Sequence, residues 1–217
     1  MSLAWQPTVA HFERLRSFNE VNGDPALPEW TSIFRGASPP AYWTALAAAL
    51  SSVTRDAYVV EVGSGAGDIL VLLWSLGFTR ITGVERDPDL VRVSRRKLST
   101  LCPGARTPQV VRGTWPYVSV RSPDVLVRVN CVYSEGATSR EVYLDALARI
   151  TQAPLIFLEM IDASFTTWHP AFPPEVRVSA DDVARVFPNH RASRVPTYVH
   201  PQQSSSKSLY CLERASP

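Results

Sequence analysis

Three glycines at alternate positions follow a carboxylate in Glu61-Val62-Gly63-Ser64-Gly65-Ala66-Gly67-Asp68, the stretch of this chain best suited to hold a ligand. Glycine is needed where φ is positive or where a ligand must approach the backbone closely. Beside a helix N-terminus, three of them leave a surface free of side chains that faces unpaired N–H groups and the positive end of the helix dipole. Such a surface accepts a phosphate, a ribose or a carboxylate-bearing amino acid. The letters narrow the choice. A Walker loop needs a lysine directly after its last glycine, and none lies within reach of Gly67. A hydrolase nucleophile elbow needs glycines two residues from its serine, whereas Ser64 has glycine on both immediate sides. The dinucleotide fingerprint G-x-G-x-x-G fails by one position, with Asp68 in place of the third glycine, which weakens an NAD site without excluding it.

Glu85 is the second group of interest, in Ile81-Thr82-Gly83-Val84-Glu85-Arg86-Asp87. If the two segments end neighbouring strands, Glu85 lies beside the glycine loop, where its carboxylate can accept hydrogen bonds from both hydroxyls of a ribose. Alone it reads as a solvated strand-end glutamate. Coupled with the loop, the ligand role is favoured.

The elements that must position these groups follow from pattern. Tyr58 to Val62 and Arg80 to Val84 are short strand-like runs, and the apolar Asp68 to Leu76 between them is a helix, which makes a βαβ unit. The alternation continues with a helix from Asp89 to Leu101, strands from Gln109 to Arg112 and Val125 to Val129, a helix from Ser139 to Ile150 and a strand from Leu155 to Met160. This order predicts an α/β fold, a parallel sheet with helices on both faces. Gly113 to Pro123 is too short and proline-broken for a crossover helix. Ala180 to Phe187 is a short helix capped by Ser179, and Arg194 to His200 with Ser208 to Glu213 form a closing antiparallel hairpin. Residues 1–52 are expected to form a helical cap on a main domain of residues 53–217. Within the cap, Val9 to Val21 and Ala41 to Leu50 are helices, separated by the proline-rich Gly23 to Pro40.

On these residues the chain resembles the class I S-adenosylmethionine-dependent methyltransferases. Val59-Val60-Glu61-Val62-Gly63-Ser64-Gly65-Ala66-Gly67 matches the E/D-x-G-x-G-x-G first motif, and Gly83-Val84-Glu85 the acidic second motif. The resemblance covers about three quarters of the chain and implies a Rossmann-like, doubly wound, seven-stranded sheet. It implies S-adenosylmethionine as cofactor and S-adenosylhomocysteine as product. Glu61 and the loop residues Gly63, Ser64, Gly65 and Gly67 would hold the methionyl part and Glu85 the ribose, with Arg86 a further candidate cofactor contact. Many members place an acidic residue after the third strand to contact the adenine. This chain has Gly113-Thr114-Trp115 there, so Thr114 would hydrogen-bond to the base and Trp115 stack on it. The N/D-P-P-Y motif of amino-methylating DNA enzymes is absent.

A sulfonium methyl is already activated, so such an enzyme aligns a nucleophile with the carbon–sulfur bond and excludes water, with no metal needed. A base helps when the acceptor carries a proton. Candidate acceptor-side residues are Asn130, which is also a candidate cofactor contact, Tyr133 and Glu135 after the fourth strand. After the fifth come Glu159, Asp162 and the loop from Ala163 to Pro174 with Trp168 and His169. His169 is the candidate general base, and Tyr42 and Trp43 are candidate pocket walls. Asn130 and Tyr133 loosely resemble the strand-four run of histone-lysine methyltransferases with this fold. A small-molecule acceptor is preferred, with a protein side chain as the alternative. A non-catalytic binding module and an NAD-dependent oxidoreductase are the remaining readings.

Composition sets the outer bounds. The chain has 217 residues, 45% hydrophobic and 19% charged, as one ordinary globular unit would. A net charge of +2 gives no electrostatic reason to expect nucleic acid. Its basic residues are nearly all arginine, Lys97 and Lys207 being the only lysines. Three scattered cysteines, Cys102, Cys131 and Cys211, indicate neither a disulfide framework nor a zinc site and point to a reducing, cytoplasmic setting. The longest apolar stretch, Ile69 to Phe78, is about half a membrane span, so no membrane partner is expected. Oligomeric state is not legible.

Overall fold

The computed structural model describes residues 9–22, 38–129, 131, 138–150, 153–165, 173–198 and 207–215. In chain order these form α1 (Val9–Asn22), α2 (Ala41–Ala49), β1 (Tyr58–Val62), α3 (Asp68–Ser75), β2 (Arg80–Glu85), α4 (Pro88–Leu101), β3 (Gln109–Arg112) and β4 (Val125–Arg128). They continue with α5 (Arg140–Ile150), β5 (Leu155–Asp162), β6 (Arg177–Val178), α6 (Ala180–Val186), β7 (His190–Tyr198) and β8 (Lys207–Arg214).

The sheet runs β3-β2-β1-β4-β5-β8-β7. The first five strands are parallel, and β8 and β7 are antiparallel to their neighbours. The order reverses between β1 and β4, and the crevice at the carboxyl ends of strands beside such a reversal is where open α/β sheets bind ligands. The glycine loop leaves β1 at this point.

Alternating side chains divide the core between the two faces. Val59, Val127, Phe157 and Leu209 meet α1 to α4 on one face. Leu126, Ile156, Leu158, Tyr210 and Leu212 meet α5 and α6 on the other. The N-terminal helices belong to the first cluster, with Phe12, Leu15, Trp43, Leu46 and Leu50 each 2% exposed or less. Helix α1 lies against α3 and α4. Covered in this way, α3 buries seven residues, Asp68 to Leu73 and Ser75, which accounts for its apolar character all round. Trp43 meets Phe12 edge-on, with ring centroids 6.3 Å apart. It is a core residue and not a pocket wall, because the helix turns it inward to the α1 seam.

Several boundaries differ from the sequence reading. Helix α4 starts at Pro88, which fits the first helical position, behind an Asp87 cap that accepts the N–H groups of Asp89 and Leu90. Strand β5 runs two residues beyond Met160, carrying Asp162 as well as Glu159 in the sheet, and the two-residue β6 pairs with the added Ile161 and Asp162. Strand β7 begins at His190, four residues earlier than expected. It is an edge strand whose first six residues after His190 are exposed, so no alternation marked its start. Residues 113–124 hold no helix, as the prolines required. No helix among the described residues is long and apolar enough to cross a membrane.

Candidate functional site

Gly63, Gly65 and Gly67 all take positive φ, +72°, +51° and +85°. The loop they form is fastened to the end of β2, since the N–H groups of Gly63 and Ser64 both donate to the Val84 carbonyl, at 2.9 and 3.1 Å. The three glycines have different tasks. A Cβ on Gly63 would stand 2.3 Å from the Cys131 Sγ and one on Gly67 2.3 Å from the Ser94 Oγ, so these two let the loop sit down on its neighbours. A Cβ on Gly65 would meet nothing within 4 Å. That backbone faces open space. Gly83 in β2 also makes room, because a Cβ there would come within 2.9 Å of the Ser64 Cβ.

Glu85 sits under this loop. Its Oε2 accepts the Gly65 N–H at 2.8 Å, and its Oε1 accepts the N–H groups of Arg86 at 2.8 Å and Asp87 at 2.9 Å. A carboxylate offers about four lone-pair directions, so these donors leave room for about one more hydrogen bond. Glu85 therefore both shapes the loop and keeps some accepting capacity beside it.

Glu61, next to last in β1, is 2% exposed, and its Oε2 has no hydrogen-bond partner. Burial, followed by the nearby Asp68, Cys131 and Glu85, pushes its carboxyl well above the usual carboxylate range, with Lys97 opposing. The unfolded chain ionises Glu61 at ordinary carboxylate pH while the folded one resists, so this residue destabilises the fold as pH rises above that point. Glu61→Gln is accordingly expected to raise stability by about 1–3 kcal/mol at neutral pH. The gain should disappear below about pH 4, where both states are protonated. Thermal melts across pH check this, and a gain that persisted into acid would refute the cause given.

Asp68 opens α3 and is ion-paired to Lys97 of α4, which is 1% exposed. Asn19 of α1 donates to the same Asp68 oxygen at 3.4 Å. Tyr42 is buried on α2, and its hydroxyl is held well above its ordinary pKa by burial, then by Asp68, Glu159 and Glu61. Glu159, 1% exposed, accepts the Thr197 hydroxyl at 2.6 Å and lies 3.9 Å from the Lys207 ammonium. Asp162 accepts the Ser208 hydroxyl at 2.9 Å. Glu159 and Asp162 are thus buried and partnered at the end of β5.

The structure brings together Glu61, Gly63, Ser64, Gly65, Gly67 and Glu85. Arg86 and Thr114 are exposed, and Trp115 is half-buried against the cluster on the α5 and α6 face. Asn130, Tyr133, Glu135, Trp168 and His169 lie outside the described residues. The sequence reading missed Lys97, and it named Tyr42 only as a pocket wall and not for its hydroxyl beside the carboxylates. The scarcity of lysine was the available signal, since both lysines of an arginine-rich chain stand beside buried carboxylates.

No protein-family model matches the sequence, and no curated protein matches it. Solved structures do match, at low identity. The magnesium protoporphyrin IX methyltransferase of Synechocystis PCC 6803, solved with bound S-adenosylmethionine, is 10% identical over 95% of this chain and 98% of its own, with a TM-score of 0.58. The methyltransferase domain of a bacterial CtHen1 is 13% identical over 79% of this chain and 97% of its own, with a TM-score of 0.60. A structure concerned with conversion of a disulfide bond into a thioacetal group during echinomycin biosynthesis is 19% identical over 85% of this chain and 91% of its own, with a TM-score of 0.54. The strand order, the closing antiparallel pair and these similarities establish that the chain has the Rossmann-like fold of the class I S-adenosylmethionine-dependent methyltransferases.

Proposed function

We propose that the protein is an S-adenosylmethionine-dependent methyltransferase that aligns an oxygen or nitrogen nucleophile, most readily of a small molecule, for in-line transfer. The observation that carries this reading is the open backbone at Gly65, bonded to Glu85, in a loop that follows the strand carrying the buried, unpartnered Glu61 oxygen. Bound there, the cofactor supplies an activated methyl group on a sulfonium. The chain's task is then positional. Glu61 and the 63–67 backbone hold the amino-acid end, and Glu85 receives the ribose through its remaining accepting direction. Trp115 and Thr114, after β3, would serve the base. Acceptor alignment falls to the segments after β4 and β5, where Asn130, Tyr133 and His169 are the candidates, His169 as base.

The near-neutral charge favours a small acceptor over nucleic acid, and a protein side chain is the second reading. The three cysteines are free, as suits a reducing, cytoplasmic setting.

Calorimetric titration of the purified protein tests the assignment. S-adenosylmethionine and S-adenosylhomocysteine are expected to bind and NAD(H) is not. Failure of both adenosyl compounds would favour a non-catalytic module, and binding of NAD(H) alone an oxidoreductase. Glu85→Ala should weaken S-adenosylhomocysteine binding by about 1.5–3 kcal/mol, because it removes a charged acceptor and releases the Gly65 N–H. Unchanged affinity would remove Glu85 from the site.

A further inference from the structure

The adenosyl amino acid of the proposed function carries an ammonium, and the role inferred for Glu61 rests on that assignment. Glu61 is buried near the end of β1 with its Oε2 unpartnered. The titratable and charged groups around it come from every side. Asp68 faces it from α3, Glu85 from β2, Cys131 from the segment after β4 and Lys97 from α4. The Tyr42 hydroxyl faces it from α2. Lys97 is the cation of this group, and it is bonded to Asp68. An ionised Glu61 would therefore be a second buried negative charge beside Asp68 with the nearby ammonium already engaged, an arrangement that costs several kcal/mol.

We infer that Glu61 is a neutral carboxylic acid in the free protein and releases its proton to solvent when the ammonium of the adenosyl amino acid seats against its unpartnered oxygen. The O–H bond breaks with its electron pair left on the carboxylate, and water or buffer takes the proton. The ammonium keeps its own three N–H bonds. The ammonium's positive charge meets the negative charge that forms on Glu61, and the ligand's own carboxylate falls to the 63–67 backbone. Burial and the neighbouring carboxylates act in the same direction, pushing the Glu61 carboxyl well above the usual carboxylate range.

Proton release is read directly by calorimetry in two buffers of different ionisation enthalpy. S-adenosylhomocysteine is expected to release about one proton per molecule bound at neutral pH, and its affinity to rise about tenfold per pH unit below the carboxyl's own pKa. 5′-Methylthioadenosine, which has the adenosine and the thioether but no amino acid, is expected to bind with essentially no release. Glu61→Gln should bind S-adenosylhomocysteine more weakly and lose both the proton and the pH slope. If that variant fails to fold, the comparison of the two ligands on the unaltered protein decides alone. Release-free binding of S-adenosylhomocysteine, equal release with 5′-methylthioadenosine, or a slope retained in Glu61→Gln would overturn the inference while leaving the cofactor assignment standing. Absence of S-adenosylhomocysteine binding at every pH would overturn both.

Discussion

Lys97→Met is expected to lower folding stability by about 3–5 kcal/mol, the usual cost of removing one partner from a buried ion pair. The lysine is 1% exposed, and Asp68, the first residue of α3 directly after the glycine loop, also accepts the Asn19 amide. Without the ammonium, the Asp68 carboxylate would lose its cation at a site where its side chain is only 11% exposed and Glu61 already resists ionisation. The methionine fills most of the lost stem volume, so the effect isolates the charge. Adding Asp68→Asn to Lys97→Met should recover most of the loss, since the stranded charge is then gone. Denaturant titration of the three proteins decides the matter. A single-variant loss under about 1 kcal/mol, or a double variant no better than the single, would show that the pair is not a buried couple.

Gly65→Ala should separate binding from folding. The backbone there sits at φ +51° with open space where a Cβ would point, so the fold loses only the cost of a left-handed alanine, about 1 kcal/mol. The same methyl group would occupy the surface offered to the ligand. S-adenosylhomocysteine affinity is expected to fall by about 2–3 kcal/mol, roughly 30- to 150-fold. Gly63→Ala is the contrasting case. Its methyl would press on the Cys131 Sγ at 2.3 Å, so stability itself should drop, by about 1–3 kcal/mol. Thermal melts paired with titrations distinguish the two patterns. If Gly65→Ala binds as tightly as the unaltered chain, the ligand does not lie over this loop.

The site was legible in the sequence wherever its parts are local. The run from Tyr58 to Glu85 carries a strand, a glycine loop, a helix and a second strand within one βαβ unit, and each turn residue announces its own backbone need. What escaped was long-range. Lys97 joins Asp68 across 29 positions, and no periodicity encodes such a pairing. Tyr42 and Trp43 are neighbours in sequence and share one core cluster, yet the Tyr42 hydroxyl lies within range of the buried carboxylates while Trp43 meets Phe12 edge-on. The start of β7 was misread for another reason. Its polar, exposed residues belong to a strand because β8 pairs with them, from His190 with Arg214 onward.

The two lysines have an experimental consequence. The Lys97 side chain is 1% exposed and that of Lys207 15%, and every other cationic side chain of fixed charge is a guanidinium. An amine-selective acylating reagent therefore finds hardly any side-chain target on the native surface. Modification of Lys97 must wait until α1, α3 and α4 part company. The rate at which that single adduct accumulates measures how often the helical layer behind the glycine loop opens, without any engineered probe.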